Sequence, residues 1–402
     1  MVKRGKTTNG KSTDIFENRE GTKNLEKAGR FLVNKGVVLV KEGRNEDAMA
    51  VFDDVVSRLG YREEIVLLEW VAKALVNKSV VLGKEDRNKD AMTVCDNVVF
   101  RFGNHQEDVL IEPVARALIY KGALLGKEGR NHEETAVYDD LVSRFGDCKE
   151  GVLLEWVAKA LVNKGALLGR QDRNKDAITV YDDVISRFGD REEDVLLEQV
   201  AKALVNKGVV LVKEGRNEDA MAVFDDVIFR FGDREEVVLI EQVGKALVNK
   251  GVVLGKESRN KDAMAVYDDV VSRLGNREEI VLIERVAQAL VNKGVVLENA
   301  GRNKEAITVY NDVISRFGNR DEIVLLEWIA EALLNKGTLL RSQDRNKDAM
   351  AVYDDVISRL GDREEIVLLD RLTMALADKA VVQNKMGEAG GKHQEHHTAS
   401  AR

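Results

Sequence analysis

Along most of the chain, apolar residues recur three and four positions apart, the spacing that lays one face of an α-helix against a core. In Glu192–Leu204 the pattern runs Val195, Leu196, Leu197, Val200, Ala201, Ala203, Leu204, and it continues past Gly208 to Leu211. A shorter pattern follows each long one: Ala48, Val51, Phe52, Val55 and Leu59 share one face, with charged residues on the other. Each repeated stretch therefore predicts a long helix followed by a short amphipathic one.

The two patterns alternate in a fixed rhythm. Triplets of the form Asn-Lys-Gly begin at Asn34, Asn163, Asn206, Asn249, Asn292 and Asn335, with variants at Asn77, Tyr120 and Asp378, so the period is 43 residues throughout. Residues 34–55 and 206–227 are identical over 22 positions, four periods apart. Neither helix can bury its apolar face within one unit, so neighbouring units must share a core. The expected fold is all-α: a right-handed αα-solenoid, or superhelix, of stacked antiparallel helix pairs over residues 23–386. It contains eight full units at 34–377 and partial end helices. Residues 1–22 read as a polar disordered N-terminal tail and 387–402 as a disordered Gly- and His-containing tail.

Local signals place the boundaries. Asp190 with Glu193, and its equivalents, have the spacing of a capping box before the long helix. Asn45, Asn88 and their equivalents suit the N-cap of the short helix, and Gly60, Gly103 and Gly146 stand where it should stop. Seven full units keep a Gly inside the long helix and the eighth has Ser79. Glycine there costs about 1 kcal/mol relative to alanine, so close approach of a neighbouring helix is the expected compensation. The unit around 104–147 is irregular: Pro113 falls inside a long helix, Tyr120 replaces the triplet Asn, and Glu134 replaces an Ala. A bent helix and loosened packing are expected there.

The set Gly165, Leu168, Ala177 and Tyr181, with equivalents in most units, resembles the tetratricopeptide repeat. The resemblance covers roughly 25–386, with nine residues more per unit than the family's usual 34 and Gly in place of its closing proline. It implies a concave groove, lined by the first helices, that holds a peptide or protein segment.

Composition narrows the function without naming it. The 402 residues are 44% hydrophobic and 33% charged, with a net charge of −8, one Pro, two Cys and five His. No apolar run approaches the ~18 residues of a membrane span, the N-terminus has no apolar signal region, and the cysteine count suits a reducing compartment. A cytoplasmic protein is the expectation. No catalytic motif, cofactor site or metal-ligand spacing stands out, so an enzyme is not expected.

Four positions per long helix (four before, at, three after and seven after the triplet Asn) fall on one narrow face. In the first six long helices the outer two are basic, whereas the last three carry Gln288, Asn299, Glu331, Ser342, Met374 and only Lys385. The candidate partner-binding groove is therefore Lys73, Asn77, Lys84, Lys127, Lys159, Asn163, Arg170, Lys202, Asn206, Lys213, Lys245, Asn249 and Lys256, suited to an acidic peptide or protein. Glu69, Glu155, Glu198 and Glu241 stand four residues before four of these lysines, so a solvated paired face fits too, and the Asn ladder could instead fasten one helix to the next. Trp70, Trp156 and Trp328 share one repeat position that elsewhere holds Pro113, Gln199, Gln242, Arg285 or Arg371. Such variety argues against deep core and makes the tryptophans candidate hot spots. The reading is a non-catalytic protein-interaction scaffold; an RNA-binding helical repeat and a self-assembling structural solenoid are the alternatives.

Overall fold

The structure is a computed structural model that describes residues 10–148 and 151–399, with side chains over 21–386 except at 149, 150 and 152. All regular elements among the described residues are helices. The long first helices are α1 (Gly10–Lys41), α3 (Ile65–Lys84), α5 (Asp108–Lys127), α7 (Gly151–Arg170), α9 (Asp194–Lys213), α11 (Val237–Lys256), α13 (Ile280–Asn299), α15 (Ile323–Ser342) and α17 (Ile366–Ala399). Between them lie α2 (Asn45–Leu59), α4 (Asn88–Phe102), α6 (Asn131–Phe145), α8 (Asn174–Phe188), α10 (Asn217–Phe231), α12 (Asn260–Leu274), α14 (Asn303–Phe317) and α16 (Asn346–Leu360). Two compact units, Met1–Ala203 and Leu204–Arg402, divide the chain inside α9. Within each unit a helix packs on the next in sequence, and each first helix also packs on the following first helix. This is an all-α repeat solenoid.

The core repeats with the sequence. From α8 it takes Ala177, Tyr181, Val184 and Phe188, and from α7 Val157, Ala158, Ala160 and Leu161, all buried. The triplet glycine lies against the aromatic ring of its own short helix. A Cβ on Gly165 would stand 2.5 Å from Tyr181 Cε1, and one on Gly294 would stand 2.3 Å from Tyr310 Cε1. The neighbour that offsets the glycine is thus the partner helix of the same repeat. The exception fits the rule: Ser79 faces Cys95, the one short helix without an aromatic at this site, and its hydroxyl turns back to the Val76 carbonyl at 2.7 Å. Burial pushes the Cys95 thiol up to about 11.

The turn between the two helices of a repeat needs one left-handed residue. Gly43, Gly129, Gly215 and Gly301 fill it at φ between 70° and 75°, and Asp86, Asp172, Ser258 and Asp344 fill it in the alternate repeats at φ between 57° and 63°. Asp and Ser tolerate what most side chains do not, and the alternation in sequence is an alternation at one strained position.

Several boundary expectations need correction. The short helices are capped by Arg44, Arg87 and their equivalents, not by the Asn that follows, and no side-chain cap bond forms. The arginine instead pairs with the acid three residues on, as Arg44 does with Asp47 at 2.8 Å. The long helices begin after the Glu of the supposed capping box, so Glu64, Glu236 and Glu322 are themselves the cap residues, without side-chain cap bonds. Gly60 ends its helix in right-handed conformation (φ −65°, ψ −15°). Pro113 does not break α5, which has the same 20 residues as α3, and Leu110, Val114 and Ala115 around it are fully buried. The proline falls early in the helix, where the lost amide deprives only the Val109 carbonyl, beside an exposed side chain. At the ends α1 begins at Gly10 and α17 closes at Ala399, while residues 1–9 and 400–402 lie outside the described residues.

Candidate functional site

The stripe chosen from the sequence lies where the first helices meet solvent. In α3, Lys73 and Asn77 are half-buried and Lys84 is exposed; α7 repeats this with Lys159, Asn163 and Arg170, and α11 with Lys245, Asn249 and Lys256. In α9, Lys202 and Asn206 are half-buried and Lys213 is exposed, and in α5 Lys127 is exposed. The stripe is one solvent-facing side of these helices, whose opposite sides supply most of the core.

Much of its charge is already answered. Lys73 pairs with Glu69 at 2.6 Å, Lys245 with Glu241 at 2.7 Å, and Lys202 with Glu198, each one helical turn away. Lys127 pairs with Asp86 of the preceding turn at 2.6 Å, and Arg170 reaches Glu134 of the preceding repeat at 3.3 Å. Lys84 and Lys256 have no ion pair among the described residues. The more exposed of these, such as Lys127 with Asp86, contribute only about 0–1 kcal/mol each.

The asparagines do part of the fastening work. Asn163 faces the Tyr138 hydroxyl of the preceding repeat, and Asn335 faces that of Tyr310, close enough to ease the burial of each. Each of these tyrosines also meets a carboxylate. Tyr138 bonds Glu134, which is 3% exposed, and Tyr310 donates to Glu298. Burial raises both carboxyls above the ordinary range, partly opposed at Glu134 by the Arg170 guanidinium and at Glu298 by the Tyr310 hydroxyl. Desolvation likewise pushes both tyrosine hydroxyls up. Glu134 itself is enclosed, its carboxylate filling the space beside Gly126. In the next repeat the same junction carries an ion pair, Arg341 to Asp378 at 2.8 Å. Sequence reading flagged Glu134 only as an irregularity and passed over Glu298 and Arg341. Their common signal is a charged residue where the other units have Ala, or Gly or Val.

The tryptophan position is more enclosed than its variety suggested. Gln199 and Gln242 are buried at 5% and 2% exposure, Pro113 is buried, and Trp70, Trp156 and Trp328 are half-buried. The site packs against a small residue of the preceding first helix: a Cβ on Gly29 would lie 3.1 Å from Trp70 Cβ. The lysines of the stripe sit over two of the rings, Lys73 at 5.0 Å from the Trp70 centroid and Lys159 at 5.2 Å from that of Trp156.

Among the described residues no group of His, Cys, Asp and Glu could hold a metal ion, and no helix is long and apolar enough to cross a membrane. The side chains of His393, His396 and His397 lie outside the described residues.

Period, glycine–aromatic packing and serial stacking define a helical-repeat protein. Models of the tetratricopeptide repeat match residues 162–235 and 288–319. The chain is a tetratricopeptide-type repeat protein. Among solved structures, the apo form of RapI is 11% identical, with 89% of this chain and 98% of that one covered and a TM-score of 0.56. The apo quorum sensor NprR from B. thuringiensis is 11% identical (90% and 99% covered, TM-score 0.48). A Rap protein complexed with Competence and Sporulation Factor is 13% identical (90% and 99%, 0.43). Of the three only RapI exceeds a TM-score of 0.5, and that likeness is one of fold. No curated protein matches the sequence.

Proposed function

We propose that this protein is a non-catalytic scaffold that holds an acidic peptide or protein segment on the open stripe of its first helices. The observation that carries the reading is the stripe itself: it faces solvent along successive first helices, and it keeps Lys84 and Lys256 without an ion pair among the described residues. Half-buried Trp70 and Trp156 support it by holding Lys73 and Lys159 over their rings. Asn77, Asn206 and Asn249 offer amides to a partner's backbone, whereas Asn163 is already engaged with Tyr138.

Titrating an acidic peptide against the parent, Lys256→Glu and Lys385→Glu tests the reading. A large loss at Lys256 and a small one at Lys385, which is paired with Asp344 at 2.6 Å, is expected. Equal losses, or none, would refute a stripe that fades toward the C-terminal helices.

Self-association is a second reading with its own observation. Phe31 and Val38 on α1, and Leu376 and Val381 on α17, are each at least half exposed, although the first two positions are covered in interior helices. Light scattering over a concentration series distinguishes it, since a pure peptide scaffold stays at one mass.

A further inference from the structure

At the outer edge of the stripe, two of the exposed cations are taken by the left-handed turn of the preceding repeat. Each lies 41 residues after the left-handed residue of the preceding repeat. At two of the three turns where that residue is Asp, its carboxylate takes the ammonium: Asp86 with Lys127 and Asp344 with Lys385, both at 2.6 Å; the third, Asp172, does not form this pair with Lys213. Those lysines hold the two carboxyls below the usual carboxylate range. Where the residue is Gly43 or Gly215, Lys84 and Lys256 stand without an ion pair among the described residues. Arg170, opposite Gly129, turns to Glu134 instead.

We infer that Asp86 and Asp344 are tethered competitors for the stripe, each occupying the cation 41 residues on, so that an acidic partner is read first at Lys84 and Lys256. Within the first unit, Lys84 is then an acceptor for a partner carboxylate and Lys127 is withheld by Asp86. The inference rests on the proposed acidic-segment scaffold, and it adds a rule for which repeats engage. Asp and Gly are interchangeable at this backbone position, so the choice between them is free to serve the side chain.

The full-length chain with a short polyglutamate peptide, and polyglutamine as its neutral counterpart, tests this by fluorescence anisotropy at low salt. Asp86→Gly, which only relaxes the backbone, is expected to tighten polyglutamate binding about two- to five-fold, the range of an exposed ion pair. The gain should vanish in Asp86→Gly/Lys127→Gln. Gly43→Asp should weaken binding by a similar factor by closing Lys84, with circular dichroism confirming the fold. If neither turn variant changes affinity while Lys84→Glu lowers it, the competitor role is overturned and the stripe reading stands. If polyglutamate binds no better than polyglutamine to any variant, both fail.

Discussion

The repeat that contains α5 and α6 and the one that contains α13 and α14 solve one problem by opposite routes. In the first, the long helix has Gly126 and the short helix Glu134; in the second, they have Glu298 and Ala306. A Cβ on Gly126 would lie 2.7 Å from Glu134 Oε2, so the carboxylate sent up from the short helix occupies the place from which Glu298 grows in the other repeat. Both carboxylates meet the tyrosine of their own repeat, and both tyrosines meet the Asn of the next. In a column-by-column alignment of repeats the two acids are unrelated oddities. In space they are one feature, a polar lock between successive repeats, moved from one helix to its partner.

The difference can be broken most severely by supplying the carboxylate twice. Gly126→Glu places a second acid against Glu134 and should cost about 3 kcal/mol from overpacking and like charge. Adding Glu134→Ala recreates the α13–α14 arrangement and should recover most of that loss, read from denaturant midpoints. A next-largest effect is expected where both repeats agree. Gly294→Ser drives its side chain into Tyr310 and should cost about 1–3 kcal/mol, whereas Gly294→Ser/Tyr310→Cys copies Ser79 and Cys95 and should lose less. Asn163→Ala and Asn335→Ala each remove a contact with the tyrosine lock and should cost about 0.5–1.5 kcal/mol, checked by the same midpoints.

The smallest effect separates the two locks by pH. A carboxyl raised in the folded state contributes stability below its unfolded pKa, and that contribution is lost as pH rises through the folded value. Glu298→Gln removes the titration, so its stability relative to the parent should improve between about pH 4 and pH 7. Glu134→Gln should show a shallower improvement, because the Arg170 cation already favours the ionised form. Equal slopes would mean that Arg170 is not part of the lock.

The architecture was legible in the sequence because a strict 43-residue period and two amphipathic faces leave few ways to bury the apolar side chains. The compensation for the triplet glycine was legible only in outline, since which ring meets Gly165 depends on helix crossing, not on spacing. End signals misled: Asn45 and Asp190 are good cap residues in isolation, yet the turns put Arg44 and Glu193 nearer the helix starts. Pro113 stays within a full-length α5 because it falls near the helix start, where few amides are lost to the ladder. The candidate stripe followed from helical geometry, but its ion pairs did not. Lys127 and Asp86 are 41 residues apart, and only the stacking of repeats brings them together.

The Ser79–Cys95 match carries a consequence for how such an array can be rearranged. The two residues lie on opposite sides of the turn within one repeat, so an exchange between repeats at that turn separates them. One product sets Gly against Cys and leaves a hole; the other sets Ser against an aromatic ring and collides. An exchange at the turn between repeats keeps the two together. Units of this chain are therefore tradable only as whole 43-residue modules cut before the long helix, and the turn that looks most permissive in sequence is the wrong place to splice.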